Sequence, residues 1–207
     1  MSIKLVSLFP NHLDLNGDQA NLLVLAKRLQ WAGVAAEIVA VDKGESIPKD
    51  AALIFLGHGS MAAWADVESE LNRLLGDIKK LTADGAAFMA VATGHERAIK
   101  LGLLGGTANA KARISKFEIA ELEGQEILGY LNSATDAPVI QKQGLLLGTQ
   151  LHGPVFAKNP VFADSYLAEI AKAQGVDFAF DAINTNASLV AGIVDQVWEL
   201  ERELASE

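Results

Sequence analysis

The residues GTQLHGP, positions 148–154, follow directly on the apolar run GLLL at 144–147. His152 therefore stands between a predicted strand and a Gly-Pro turn, where an imidazole can take a proton from a nucleophile across a cleft. Two other stretches place histidine in the same way: Gly57-His58-Gly59-Ser60 follows AALIFL, and Thr93-Gly94-His95-Glu96 follows AAFMAVA. A base needs a nucleophile, and the chain has no cysteine, which excludes a thiol nucleophile, thiolate metal sites and disulfides. The hydroxyls of Ser60, Thr93 and Ser133 remain, because a hydroxyl beside a base and an oxyanion hole can attack a carbonyl. Residues of this type after strands equally serve as turn and cap residues. His58, His95 and His152 with Glu96 would offer donors to a zinc-like ion, but none of the histidines has the i, i+4 spacing of a helical pair. No metal and no cofactor is assigned.

The elements that must position these residues are legible as apolar periodicity. Residues 3–9 (IKLVSLF) predict a first strand, followed by a turn-rich loop at 10–18. Its Asp14, Asn16, Gly17 and Asp18 lack the twelve-residue register and closing Glu of a calcium loop, so they predict a turn with Asp18 as helix N-cap. A helix over 19–31 and a strand over 34–41 complete a βαβ unit. Further strands are predicted at 51–56, 86–92 and 145–150, and helices at 65–83, 95–100, 159–174 and 186–203, the last carrying Leu189, Ile193, Val197 and Leu200. Residues 101–143 break into short β-prone pieces around 112–122 and 127–131. Such alternation predicts an α/β fold of three layers, a mostly parallel sheet with helices on both faces, and ligands at the carboxyl ends of its strands. His58, the Thr93-Gly94-His95 turn and His152 would then share one cleft. Trp64, just past the Gly57–Ser60 turn, has two readings: core packing, or an exposed partner surface.

Composition narrows the partners. The 207 residues carry a formal net charge of −9 and no Lys/Arg cluster, which argues against nucleic acid and anionic membrane. No apolar run approaches the ~18 residues of a membrane span, and the N-terminal stretch lacks the layout of a secretory signal, so a cytoplasmic protein without membrane insertion is expected. With no repeat, low-complexity tract or long linker, a single domain over 1–207 is expected. The acidic faces at 65–77 and in the C-terminal WELERELASE read as solvated helix surface. There is no G-x-x-x-x-G-K-[ST] stretch, so ATP-dependent chemistry would have to come from another chain.

In order, these pieces resemble the class I glutamine amidotransferase-like family, in its cobyric acid synthase-like (CobB/CobQ) branch, the branch of the lipid II isoglutaminyl synthase subunit GatD. The resemblance covers most of the chain. HLDLNGDQANLLVLAKRLQWAGVAAEIV looks like the opening of that branch, and LLGTQLHGPVFAKNP is similar almost residue for residue to its G-T-x-L-H-G-P-x-L-x-x-N-P block. The resemblance implies that His152 is the family's general base, which takes a proton from a cysteine on a strand-to-helix elbow. The thiolate then attacks the side-chain amide of glutamine and releases ammonia to a synthetase partner. Here the elbow reads Val91-Ala92-Thr93-Gly94-His95-Glu96, and the cysteine position is Ala92. The glycine-rich oxyanion turn would be Gly57-His58-Gly59-Ser60, with Thr93 and Gly94 following the nucleophile position. Gly129-Tyr130-Leu131-Asn132-Ser133 stands for a further family segment, and Arg113 is placed like the arginine that pairs with the glutamine α-carboxylate.

Several departures around one site, at Ala92, in the Gly57-His58-Gly59-Ser60 turn and in the Gly129–Ser133 segment, point to lost glutaminase chemistry, with His58, His95 and Glu96 as candidate residues of an altered site. The resemblance thus implies a non-catalytic binding or scaffolding subunit linked to cell-wall precursor amidation, with glutamine or a related small ligand and a Mur-ligase-like synthetase of the MurT type as partner. The alternative is an enzyme: an active amidotransferase subunit seen with its cysteine replaced, or a repurposed hydrolase.

Overall fold

The computed structural model describes residues 2–179 and 185–205. The chain begins with β1 (Ile3–Leu8), α1 (Ala20–Trp31), β2 (Ala36–Val41), β3 (Ala51–Leu56), α2 (Met61–Ala83), β4 (Ala87–Val91) and α3 (Thr93–Lys100). It continues through β5 (Ala110–Leu122), β6 (Gln125–Thr135), β7 (Ile140–Gln143), β8 (Leu146–Thr149), β9 (Leu151–His152), α4 (Val155–Lys158), α5 (Pro160–Ala173) and α6 (Thr185–Ala205). The main sheet has the order β2-β1-β3-β4-β8-β7, parallel except for the antiparallel edge strand β7.

Every residue of β3 and β4 is buried, because each strand is covered on both faces. Alternate side chains go to opposite layers: Leu53, Phe55, Ala87 and Met89 pack with Leu22, Leu25 and Leu29 of α1 and Phe162, Tyr166 and Ile170 of α5. Ile54, Leu56, Phe88 and Ala90 pack instead with Trp64, Val67, Leu71 and Ile78 of α2 and Ala98 of α3. This is the three-layer arrangement the alternation predicts. From β1 the chain steps to β2 on one side and then to β3 and β4 on the other, so the strand order reverses between β1 and β3, and the loops leaving β1, β3 and β4 meet at the carboxyl edge of the sheet.

A second sheet, β5-β6-β9, is antiparallel. Its hairpin turns on Glu123 and Gly124, both at positive φ (53° and 78°), the geometry that matches strand twist in a two-residue loop. Tyr130 pairs with His152, so the hairpin delivers the 130–135 segment to the same carboxyl edge. Among the described residues no helix is long and apolar enough to cross a membrane.

Several boundaries differ from the periodicity. α2 starts at Met61 rather than 65 because Ser60 Oγ accepts from the Ala63 N–H at 3.2 Å and caps it. Asp18 is not an N-cap: α1 is preceded by Gln19, with no side-chain cap, and buried Asp18 accepts instead from the Gly153 N–H at 3.0 Å. The long hairpin and β7 replace the loose pieces expected over 101–143. On α6 the stripe Leu189, Ile193 and Leu200 lies exposed, and Val194 takes the buried position. The last two residues of the C-terminal acidic stretch lie outside the described residues.

Tyr166 shows how the layers are tied. Its fully buried hydroxyl donates to the Leu145 carbonyl at 2.9 Å, with the Phe88 carbonyl at 3.3 Å, and burial pushes its ionisation up. Leu145 O keeps a second donor, the Phe88 N–H, so Tyr166→Phe is expected to cost only about 1 kcal/mol in urea unfolding. A loss several times larger would mean that the hydroxyl organises more than this junction.

Candidate active-site cleft

The elbow lies where β4 becomes α3. Ala92 has φ 50° and ψ −117°, a region that L side chains rarely adopt and that costs on the order of 1–3 kcal/mol. Its backbone is held on two sides: its N–H donates to Thr149 O at 2.7 Å, and its carbonyl accepts from the Glu96 N–H at 3.1 Å. Gly94 lets α3 lie against β3, since a Cβ there would meet Leu56 O and Gly57 O at 2.5 Å. This sharp strand-to-helix turn presents the side chain of residue 92 to a cleft of about 420 Å³. That side chain is a methyl group.

The cleft is lined by Leu15, Asn16, His58, Ala92, Thr93, Glu96, Arg113, Asn132, Ser133, Gln150 and His152, among others. Most of the residues singled out by sequence thus come together. His152 is present with both ring nitrogens engaged: Nε2 donates to the Asn132 carbonyl at 2.9 Å, and Nδ1 accepts from the Asn16 side-chain amide. A carbonyl can only accept, which fixes the proton on Nε2. Neither nitrogen is left to serve residue 92.

His58 lies beside it, ring centroids 4.8 Å apart and edge-on at 81°. Its Nδ1 is 2.8 Å from Thr93 Oγ1. Burial first, then the fields of His152 and Arg113, push the His58 pKa down to about 4, so the ring is neutral near pH ~7. Arg113 sits on the cleft rim, in the register shift of β5 between Ala110 and Ile114, and donates from Nη1 to Asn132 Oδ1 at 2.8 Å. A bulge of this kind re-aims a side chain, here toward the cleft. Glu96, one turn after Thr93 on the same face of α3, accepts from Thr135 Oγ1 at 3.0 Å.

One reading changes, and three alternatives close. His95 is not in the cleft: it is buried on the other face of α3, its nitrogens facing the amides of Gln141 (2.7 Å) and Gln150 (3.4 Å), and burial pushes its pKa down to about 4. Gly148 makes the room, because a Cβ there would fall 2.4 Å from the ring. The three imidazoles therefore do not converge, and among the described residues no group of three or more His, Asp or Glu could hold a metal. Trp64 is only 2% exposed and donates from Nε1 to Thr93 Oγ1 at 2.7 Å, which removes the exposed partner surface. The hydroxyls are all committed: Ser60 caps α2, Ser133 is buried against Thr135, and Thr93 is surrounded by donors.

Gly57 and Gly59 also act through packing: a Cβ at Gly57 would lie 2.0 Å from Leu13 O, and one at Gly59 would lie 2.5 Å from Leu13 Cδ2. The sequence reading missed Asn16 as the partner of His152. Its place in DLNGD gave a turn signal only.

No family model matches the chain. The lipid II isoglutaminyl synthase (glutamine-hydrolyzing) subunit GatD of Staphylococcus aureus (strain N315) is 24% identical over 219 residues, covering 86% of this chain and 88% of its own. Among solved structures, a chain of PurLQS from Thermotoga maritima superposes with a TM-score of 0.54 at 14% identity, over 84% of this chain and 97% of that one. A glutamine amidotransferase from the same organism gives 0.50 at 13% identity, over 98% and 94%. At those identities the two structures speak for the fold alone. The fold is that of class I glutamine amidotransferases, and in sequence the chain is similar to GatD along most of both chains, with the GTQLHGP block standing beside the elbow.

Proposed function

We propose that this chain is a pseudoenzyme of the GatD type: a single-domain, cytoplasmic, non-catalytic subunit that binds and supports a Mur-ligase-like synthetase of the MurT type in cell-wall precursor amidation. The observation that carries the reading is Ala92, a methyl group held in elbow geometry beside a histidine whose two nitrogens are already hydrogen-bonded. A glutamyl thioester needs both a thiolate and a base to form it, and the cleft offers neither to a bound amide. Arg113 on the rim still presents a guanidinium suited to a carboxylate, so a small amino acid such as glutamine can be held without being cleaved. The match to a protein named as a subunit supports the partner assignment.

The test is ammonia release from glutamine by the native chain, alone and with the purified synthetase subunit of its own organism. No release above the buffer rate is expected in either case, together with a stable complex in light scattering. Glutamine-dependent ammonia from the native chain would sink the non-catalytic reading, and failure to form the complex would sink the scaffold role. The retained elbow supports one competing reading, an amidotransferase whose cysteine was replaced. That reading requires Ala92→Cys alone to restore hydrolysis, whereas the engaged nitrogens of His152 predict that it will not.

A further inference from the structure

α6 has two apolar faces, and the protein covers one of them. The covered face is anchored by buried Val194, by Trp198 Nε1 donating to the Lys158 carbonyl at 2.7 Å, and by Glu201, which pairs with Lys158 at 2.6 Å. Leu189, Ile193, Leu200 and Leu204 form the other and are 66%, 54%, 67% and 47% exposed. At about 100° per residue they fall within about 60° of arc, centred roughly 120° round from Val194, Trp198 and Glu201, and the stripe runs about 22 Å. Single exposed leucines are ordinary, but a contiguous apolar stripe on one helix marks a surface that another molecule covers. Its steps of 4, 7 and 4 residues are those of a heptad seam, which a second helix fills with its own side chains and an extended strand does not.

Beside the stripe, Asp195, Glu199 and Glu203 follow one another at four-residue intervals. Asp195 and Glu199 have no ion-pair partner among the described residues, whereas Arg202 is drawn away to Glu126 at 2.7 Å. Acids at the edge of a heptad seam select the charge of the helix that enters it. A second copy of this chain presents the same acids and a net charge of −9, and an anionic bilayer is repelled likewise.

We infer that the stripe from Leu189 to Leu204 seats a partner helix of about four turns, with an apolar seam of its own and Lys or Arg along the edge that meets Asp195 and Glu199. On the proposed function that helix belongs to the synthetase subunit, and the inference rests on that reading for its partner. No α6 residue lines the cleft, so a helix seated here occupies none of it.

The experiment measures the Kd of the full chain for the purified synthetase subunit by calorimetry. Leu200→Glu and Ile193→Glu are each expected to weaken the complex at least about thirtyfold, the loss of an interface anchor, with unchanged melting temperatures because both side chains are exposed. Leu23→Glu, equally exposed but on α1, is expected to bind as the native chain does. Raising sodium chloride from about 0.05 to about 0.5 M weakens the native complex, and the double variant Asp195→Asn, Glu199→Gln flattens that dependence. Should Leu200→Glu prove unstable, Leu189→Glu repeats the test at the far end of the stripe. Stripe variants that bind as tightly as the native chain overturn the inference and leave the scaffold role standing, whereas a native chain that forms no complex overturns both. Light scattering that shows the native chain pairing with itself, or its flotation with phosphatidylcholine vesicles, reversed in either case by Leu200→Glu, overturns the inference by naming a different occupant.

Discussion

Gly57→Ala is expected to destabilise the chain by more than about 3 kcal/mol, beyond the usual range for overpacking, and to lower the melting temperature by roughly 10 °C for a chain of this size. The added Cβ would lie 2.0 Å from Leu13 O and 3.1 Å from Leu13 C, both backbone atoms, so no side-chain rotation can relieve the clash. Nor can the loop yield cheaply. Leu13 is buried, its N–H donates to Phe9 O at 2.9 Å, and the Leu15 N–H donates to His58 O at 3.1 Å. Displacing the loop would also carry Asn16 away from His152, coupling the packing defect to the cleft. Gly76→Ala is the control: it lies within α2 with nothing within 4 Å of the new Cβ, and is expected to gain up to about 1 kcal/mol from helix propensity. Thermal and urea unfolding of the two variants beside the native chain measures both. A Gly57→Ala melt that overlies the native one would mean that the loop does not rest on the β3 turn as described.

Acid is the second large lever, and it acts through His95. Burial without a neighbouring carboxylate pushes this ring from its ordinary 6.5 down to about 4, so the folded chain excludes a proton that the unfolded chain accepts. Between those two values the unfolded state binds more protons, and stability therefore falls as pH falls. The contribution is intact above pH ~6.5, declines through the interval and levels off below pH ~4, for a total on the order of 3 kcal/mol. His58 shifts in the same direction, but it is only partly buried and water at the cleft screens it, so its share is smaller. Comparing urea unfolding of the native chain and His95→Gln at about pH 7.5 and about pH 4.5 isolates the ring, because the carboxylates titrate alike in both. The native chain is expected to lose roughly 2–3 kcal/mol more than the variant on acidification. Equal losses would mean that His95 is protonated in the folded chain, in contact with water or with an acid.

The framework was legible because its signals are local. AALIFL and AAFMAVA are apolar on both faces and became the two fully buried strands, while the helix between them, α2, showed one apolar face. The GTQLHGP block and the absent cysteine located His152 and Ala92, which do share a cleft. What local pattern does not carry is which distant group completes each polar atom. Asn16 meets His152 across 136 residues, and Trp64 turns inward because a hydroxyl 29 residues later accepts its N–H. His95 was placed with its neighbours Thr93 and Glu96, yet one step along a helix rotates a side chain by about 100°, toward the space that Gly148 leaves. The hairpin 110–135 was read as fragments because much of it is exposed or half-buried, which blurs the alternation a strand shows when one face is core.

The glycines at 57, 94 and 148 have a bearing on how such chains are recognised. Each is required by the closeness of a neighbouring backbone or ring, a demand of packing that is indifferent to whether residue 92 carries sulfur. A lineage can therefore shed its reaction and keep these positions for as long as it keeps its shape. Signatures built on them report descent. What residue 92 carries and what residue 16 bonds to are set by none of these packing contacts, so on the proposed reading the chemistry can change while the glycines stay.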